Sequence, residues 1–310
     1  MDNVCHTLVG LAAARAGLDR QSRLATATLA ISANLPDIDV LVFGTDVPAV
    51  SFRRGWTHGP IAQLLLPLAC AGVMWLLARR GTDGRPHPPP ASPRVSFAWL
   101  LALSCFGVYT HVFLDYLNNY GVRLLMPFSH RWFYGDAVFI VDIWLWLMLG
   151  LGWWLSRRGN TRPARLGLTA ASIYIALMLI SARASRSIIA GKWMEATGSL
   201  PADLMVGPVP LNPFRKDIII DAGDHYVTGR FDWIPRQVIF DPRHIDKNDH
   251  DPSVATAATD PKVAGILVWS RFPFWTLQTA PGGTEVTVSD VRFARLGRAG
   301  FSATTIVRQP

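Results

Sequence analysis

The chain has 310 residues, of which 50% are hydrophobic and 17% charged, where a soluble domain carries about 25% charge. The deficit lies in the first 185 residues and excludes an ordinary soluble fold for that part. The net charge of +8 does not indicate a nucleic-acid binder: basic residues cluster beside apolar stretches, as Arg79 with Arg80 and Arg157 with Arg158, and neither a zinc-finger spacing nor an aromatic-basic RNA motif occurs.

Residues 3–18 predict a short, moderately apolar helix. Residues 22–33 predict a second, which Pro36 ends, because proline disfavours helix in the residue before it. Asp2 and His6 interrupt the N-terminus, so it does not read as a cleavable signal. A loop at 44–59 carries Gly44, Pro48, Gly55 and Gly59. The stretches 60–78, 97–117, 137–156 and 165–182 are nearly free of charge. Each meets or approaches the roughly 20 apolar residues that a bilayer core requires. A Pro/Gly-rich linker (81–96), a polar loop (118–136) and a basic turn (157–164) separate them. Cys5, Cys70 and Cys105 form no CxxC motif or disulfide framework.

The tail has another character. Asp217–Asp221, Tyr226–Phe231, Gln237–Phe240, Gly265–Trp269 and Glu285–Phe293 are short, β-branched or aromatic, and separated by turn residues, which predicts strands. The expected fold is mainly α. An integral membrane helical bundle of about six passes or partial passes fills residues 1–185, and a β-rich extramembrane domain fills 186–310. The connections at 79–96 (Arg79, Arg80, Arg85, Arg94) and 157–165 (Arg157, Arg158, Arg162, Arg165) belong on the cytoplasmic side by the positive-inside rule. That places the tail outside the cytoplasm, in a protein of the inner (plasma) membrane. Arg53, Arg54, Arg183, Arg186 and Lys192 oppose this orientation.

Ionisable residues at membrane depth are costly and ask for a reason. His111 and Asp115 are four apart, so on a helix they share a face. Imidazole with carboxylate is a common ligand set for zinc, iron or manganese; a hydrogen-bonded pair joining two helices is the alternative. If the passes alternate, His6, Asp37, Asp39, His58, His111 and Asp115 emerge on one side, from four separate segments of the chain. Such a set suits one or two divalent ions. Taken singly, His6 and His58 would be helix-end residues, and Asp37 and Asp39 caps or turn formers. Arg53, Arg54 and Arg131 suit either a phosphate or lipid headgroups. Asp142, within FIVDIW, is a functional candidate by its depth, and Asp136 suits a helix cap. No GxSxG elbow supports a serine hydrolase.

His6-Thr7, the NLPDID segment at Asn34–Asp39, the GWTH segment at Gly55–His58 and HVFLD at His111–Asp115 resemble, in order and spacing over about residues 1–145, the YdjM-like family of membrane-bound metal-dependent hydrolases. The tail's Pro210-Leu-Asn-Pro213-Phe and Tyr226 are similar to an extension that some members carry. More loosely, the ligand order is similar to that of zinc-dependent phospholipase C and S1/P1-type nucleases. Those use a further His and an HxxxE pair, which this chain lacks; His130, Asp136 and Asp142 are the substitutes on offer, and a third metal is not expected.

The resemblance implies a hydrolase with His6, Asp37, His58, His111 and Asp115 as ligands of a divalent metal, zinc foremost. Asp39 or Asp37 would serve as general base or bridging carboxylate, and Arg53, Arg54 and Arg131 would meet the substrate. Membrane lipid and a phosphoester or phospholipid-type substrate are the expected partners. The alternative is a non-enzymatic membrane protein with a structural metal or polar core and a partner-binding tail.

Overall fold

A computed structural model describes residues 1–80, 95–294 and 301–308. Most of the linker at 81–96, with Arg85 and Arg94 of the expected cytoplasmic loop, lies outside the described residues. The chain divides into two compact units, Met1–Asp39 with Arg54–Ser181, and Val40–Arg53 with Ala182–Pro310. The division expected at 185/186 falls inside one long helix.

The first unit is helical. It contains α1 (Asn3–Arg15), α2 (Ala25–Ser32), α4 (Pro60–Arg80), α5 (Phe97–Tyr116), α6 (Ile143–Ser156) and the start of α7 (Arg162–Thr197); α3 (Ala49–Phe52) belongs to the second unit. A 3-10 segment, Leu35–Gly44, follows α2 at a bend of 49°. Asp2 starts α1 by accepting from the amides of Val4 and Cys5, two of the donors that a helix N-terminus leaves without intrahelical partners. Gly10 lets α1 meet α2, since a Cβ there would lie 2.7 Å from the Leu29 carbonyl oxygen. Cys5, Val9, Leu114, Leu145 and Leu149 form the largest core cluster of this unit.

Among the described residues, α4, α5 and α7 are long and apolar enough to cross a bilayer, and a fourth span exists if α2 and the bent 3-10 segment count as one. Leu64, Leu65, Val73, Leu76 and Leu77 of α4 are exposed, a density of bare apolar surface that soluble proteins avoid. The expected six passes are therefore reduced. The 13 residues of α1 rise about 20 Å, short of a hydrocarbon core of about 30 Å. The stretch expected at 137–156 becomes the 14-residue α6, because Asp142 caps it through the amides of Trp144 and Leu145. Asp136, the expected cap, instead takes a left-handed backbone conformation.

The second unit is a β-sheet domain entered by the end of α7. β1 (Asp203–Val209), β2 (Asn212–Asp221), β3 (His225–Asp232) and β4 (Gln237–Asp246) form an antiparallel meander. β2 shows the period of two: Ile218 and Ile220 join Ile189 of α7 in one cluster, and Ile219 joins Tyr226 and Phe272 in another. A second sheet, β5 (Pro273–Ala280), β6 (Gly283–Asp290) and β7 (Ser302–Val307), is covered by α8 (Pro252–Ala257) and α9 (Pro261–Trp269), and α10 (Val291–Ala294) follows β6. The strand expected at Gly265–Trp269 is helix instead: Asp260 caps the amides of Lys262 and Val263, and Pro261 occupies the first turn. Glu285–Phe293 is strand to Asp290 and then helix.

Buried Asp290 organises this unit. Its carboxylate accepts from Ser270 Oγ (2.6 Å), the Arg271 amide (2.8 Å) and the Arg292 side chain (2.8 and 2.9 Å). Burial alone would raise its pKa, but the Arg292 guanidinium and these donors hold it below the usual carboxylate range.

Candidate metal centre

The first unit gathers its ionisable residues at one end of the bundle. His58 lies two residues before α4 begins, and His111 and Asp115 occupy the last turns of α5. One ligand atom from each of Asp37, His58, His111 and Asp115 lies within 4.8 Å of the others, and all four residues are buried. His58 Nε2 is 3.2 Å from both His111 Nε2 and Asp115 Oδ2. His111 Nε2 is 3.7 Å from Asp115 Oδ2 and 4.0 Å from Asp37 Oδ1. Four ligands tetrahedral about an ion at about 2.0–2.1 Å stand roughly 3.3 Å from one another, so the two shortest distances already match and the others are slightly open.

The packing that builds this arrangement is traceable. Gly107 sits where α5 crosses the end of α2; a Cβ there would overlap the Ser32 hydroxyl and the Ala33 amide. The close approach brings His111 Nδ1 within 2.7 Å of the Ala33 carbonyl oxygen. That oxygen can only accept, so Nδ1 carries the proton and Nε2 presents its lone pair.

His58 is oriented by a relay. The Thr57 hydroxyl is 3.1 Å from Asp39 Oδ2 and 2.9 Å from His58 Nδ1. The carboxylate takes the hydroxyl proton, the hydroxyl oxygen accepts from Nδ1–H, and His58 Nε2 also presents a lone pair. Two lone pairs therefore face each other beside a carboxylate, an arrangement that repels itself without a cation and ligates one with it. Buried His6 stacks on His111 with ring centroids 3.8 Å apart. Among the described residues its Nδ1 has no hydrogen-bond partner, and Nε2 lies 3.4 Å from Asp115 Oδ1. A buried imidazole with an unpartnered nitrogen next to a carboxylate fits a metal-ligand role. The donor set of this site thus suits a divalent ion.

The other expected site residues have distinct places. Asp39 stands behind His58, its Oδ2 accepting from the Arg54 amide at 2.8 Å as well as from Thr57. Arg54 is buried: its Nε lies 2.9 Å from Asp115 Oδ2, its Nη1 reaches Asn118 Oδ1 at 3.1 Å, and Tyr120 lies under its guanidinium. The Met1 amino group pairs with Asp115 Oδ1. Arg131 is exposed on the 121–136 loop, over the Phe133 ring, and His130 beside it is also exposed. Arg53 falls in the second unit, over the Phe43 ring. Asp142 caps α6 and accepts from the Tyr174 hydroxyl at 3.0 Å.

Three supporting groups escaped the sequence reading: the Ala33 carbonyl, the Thr57 hydroxyl and Asn3, whose amide reaches Asp37 Oδ2 at 3.0 Å. Thr57 carried a signal, being a hydroxyl next to a ligand histidine; a backbone carbonyl carries none.

Residues 1–185 match the YdjM inner membrane protein family. The chain belongs to that family. The YdjM match covers α1 to α6 and most of α7, including every residue of the centre, and leaves out the β-sheet tail. Over 288 residues the chain is also 24% identical to a protein of Bacillus subtilis (strain 168), "Uncharacterized protein YfhP", covering 89% of this chain and 79% of that one. No solved structure matches the chain.

Proposed function

We propose that this YdjM-family protein is a membrane-bound metal-dependent hydrolase acting on a phosphoester or phospholipid-type substrate. The observation that carries the reading is the pair of Nε2 lone pairs, from His58 and His111, aimed at each other 3.2 Å apart beside Asp115. Asp37, His58, His111 and Asp115 would hold the first ion, zinc foremost. His6, with Asp115 Oδ1, would offer a second position, in competition with the Met1 amino group that pairs with the same oxygen. A divalent ion held there would act as a Lewis acid and make a water molecule acidic enough to serve as nucleophile near neutral pH. Asp39 positions His58 through Thr57, because its Oδ2 is committed to two donors. Asp37, whose Oδ2 accepts from Asn3 at 3.0 Å, is the second carboxylate in line to act as bridge or base. Arg54 orients Asp115 and brings positive charge next to a phosphoryl oxygen.

Arg79 and Arg80 end α4, and Arg157 and Arg158 follow α6. With these on the cytoplasmic side, the centre and the tail belong on the opposite face.

A second reading has its own support. His6, His58, His111 and Asp115 are fully buried, as in a structural metal site closed by protein ligands. The experiment measures metal content and hydrolysis together, on detergent-purified protein, for wild type, His111→Ala and Asp115→Ala. Metal with turnover of phosphodiesters or phospholipids, both lost in the variants, supports the hydrolase. Bound metal without turnover leaves the structural site, and metal-free protein after supplementation removes both.

A further inference from the structure

The loop that closes over the GWTH turn ends in a bare apolar tip. Phe128 is 76% exposed and Leu125 44%, with His130 and Arg131 also exposed just beyond them. Trp56, two residues before His58, is 52% exposed. These residues belong to two segments locked together. The Arg123 amide donates to the Arg54 carbonyl at 2.8 Å, and a Cβ on Gly59 would overlap the carbonyl of Met126.

The lock fixes the level of the tip. Gly59 immediately precedes Pro60, where the span α4 begins, and exposed Ile61, Leu64 and Leu65 follow within its first turns. With α4 entering the hydrocarbon layer at Pro60, Met126 would lie at its edge, and Leu125 and Phe128 at the depth of the headgroups. Trp and bulky apolar groups favour that zone, and exposed cations such as Arg131 favour the anionic lipid surface.

We infer that Trp56, Leu125 and Phe128 form a lip seated in the bilayer surface, with Arg131 on anionic headgroups, and that the metal centre beside it takes a lipid with an anionic headgroup from the membrane rather than a solute from water. The substrate half of this inference rests on the hydrolase reading; the seating of the lip does not. Burying such side chains in the interface is favourable by area, and Phe128 has no other described apolar cover. The lip is also tied to a ligand: Trp56 and His58 share one short turn, closed by the His58 amide on the Gly55 carbonyl at 3.0 Å.

The test uses the full chain in nanodiscs of phosphatidylethanolamine and phosphatidylglycerol. A spin label is placed at Phe128→Cys in a Cys105→Ser background, since Cys5 and Cys70 are buried. Leu65→Cys on α4 serves as the lipid-facing reference and Glu195→Cys as the water-facing one. The expected label falls between the two references, more open to oxygen and less open to a water-soluble nickel chelate than Glu195, and less protected from the chelate than Leu65. Access to the chelate like that of Glu195, or protection from both reagents by a covering protein surface, overturns the lip. A second arm compares cleavage of vesicle phosphatidylglycerol with cleavage of a water-soluble phosphodiester in the Trp56→Ser, Phe128→Ser double variant. A several-fold fall in the lipid-to-soluble ratio is expected, and an unchanged ratio overturns the substrate assignment. If wild type cleaves neither, the hydrolase reading has failed and the label still decides the lip.

Discussion

His58 and His111 meet through their Nε2 atoms at 3.2 Å while each commits Nδ1 elsewhere, to the Thr57 hydroxyl and to the Ala33 carbonyl. Two imidazoles on separate segments are thus held in the tautomer that turns both lone pairs inward. The Thr57 relay is the weaker of the two holds, because a hydroxyl rotates and a carbonyl does not. Thr57→Val keeps the shape and removes the relay. Loss of such an orienting partner costs about 10- to 100-fold in metal affinity, and Asp39→Asn should fall in the same range. Competition with a fluorescent zinc chelator reads the change. An unaltered affinity in both variants would mean that His58 is oriented by packing alone.

His6 separates a mononuclear from a binuclear centre. It stands outside the four-residue group, yet it shares Asp115 with that group through the other carboxylate oxygen. His6→Ala should keep one ion while losing the second, whereas His111→Ala loses all metal. Ion counting by mass spectrometry checks both. The same stoichiometry in wild type and His6→Ala would reduce His6 to a ring stacked on His111.

The clustering of Asp37, His58, His111 and Asp115 was legible in the sequence because charged groups in apolar surroundings stand out, and the four-residue spacing of His111 and Asp115 places them on one face without any tertiary knowledge. The order NLPDID, GWTH, HVFLD did the rest. What stayed hidden depended on the third dimension. The cap expected at Asp136 falls to Asp142 because a cap is defined by which amides turn toward it. Arg54 reads in the sequence as a contact for a phosphate or a lipid headgroup, but its neighbours Asp39, Asp115 and Asn118 draw it inward. Val40–Arg53 joins the second unit because Val50 packs in the cluster of Val263 and Val288, long-range partners that no local pattern announces. Gly265–Trp269 has strand-like residues, and the capping Asp260 and Pro261 before it outweighed them.

Gly107 carries the approach of α5 to α2. A methyl group at this position overlaps Ser32 and the Ala33 amide, and overpacking of this kind costs about 1–3 kcal/mol. Gly107→Ala should lower the thermal midpoint in detergent, and by moving α5 outward it should also lengthen the His111–Ala33 contact and weaken metal binding. Gly107→Ala, Ser32→Ala should recover part of both losses. Wild-type stability and metal affinity in the single variant would show that the two helices part without consequence for the centre.

The tail offers a prediction in pH. Asp290 is held below the usual carboxylate range by Arg292 and its other donors, against a burial penalty of opposite sign. A group with a depressed folded pKa binds fewer protons folded than unfolded, so its stabilisation is complete above the unfolded value of about 4. That stabilisation is lost as pH falls through the folded value. The second unit should therefore resist mild acid and lose stability steeply on the acid side of pH 4. Asp290→Asn removes one partner of a buried pair and strands Arg292, a loss of about 3–5 kcal/mol at neutral pH, and it should flatten the acid slope. Urea unfolding followed by the fluorescence of Trp269, with Trp269→Phe as the blank, measures both. Trp269 suits this because it is fully buried with the Arg292 guanidinium 4.5 Å from its ring centre. Parallel acid slopes for wild type and Asp290→Asn would assign the acid sensitivity to other carboxylates.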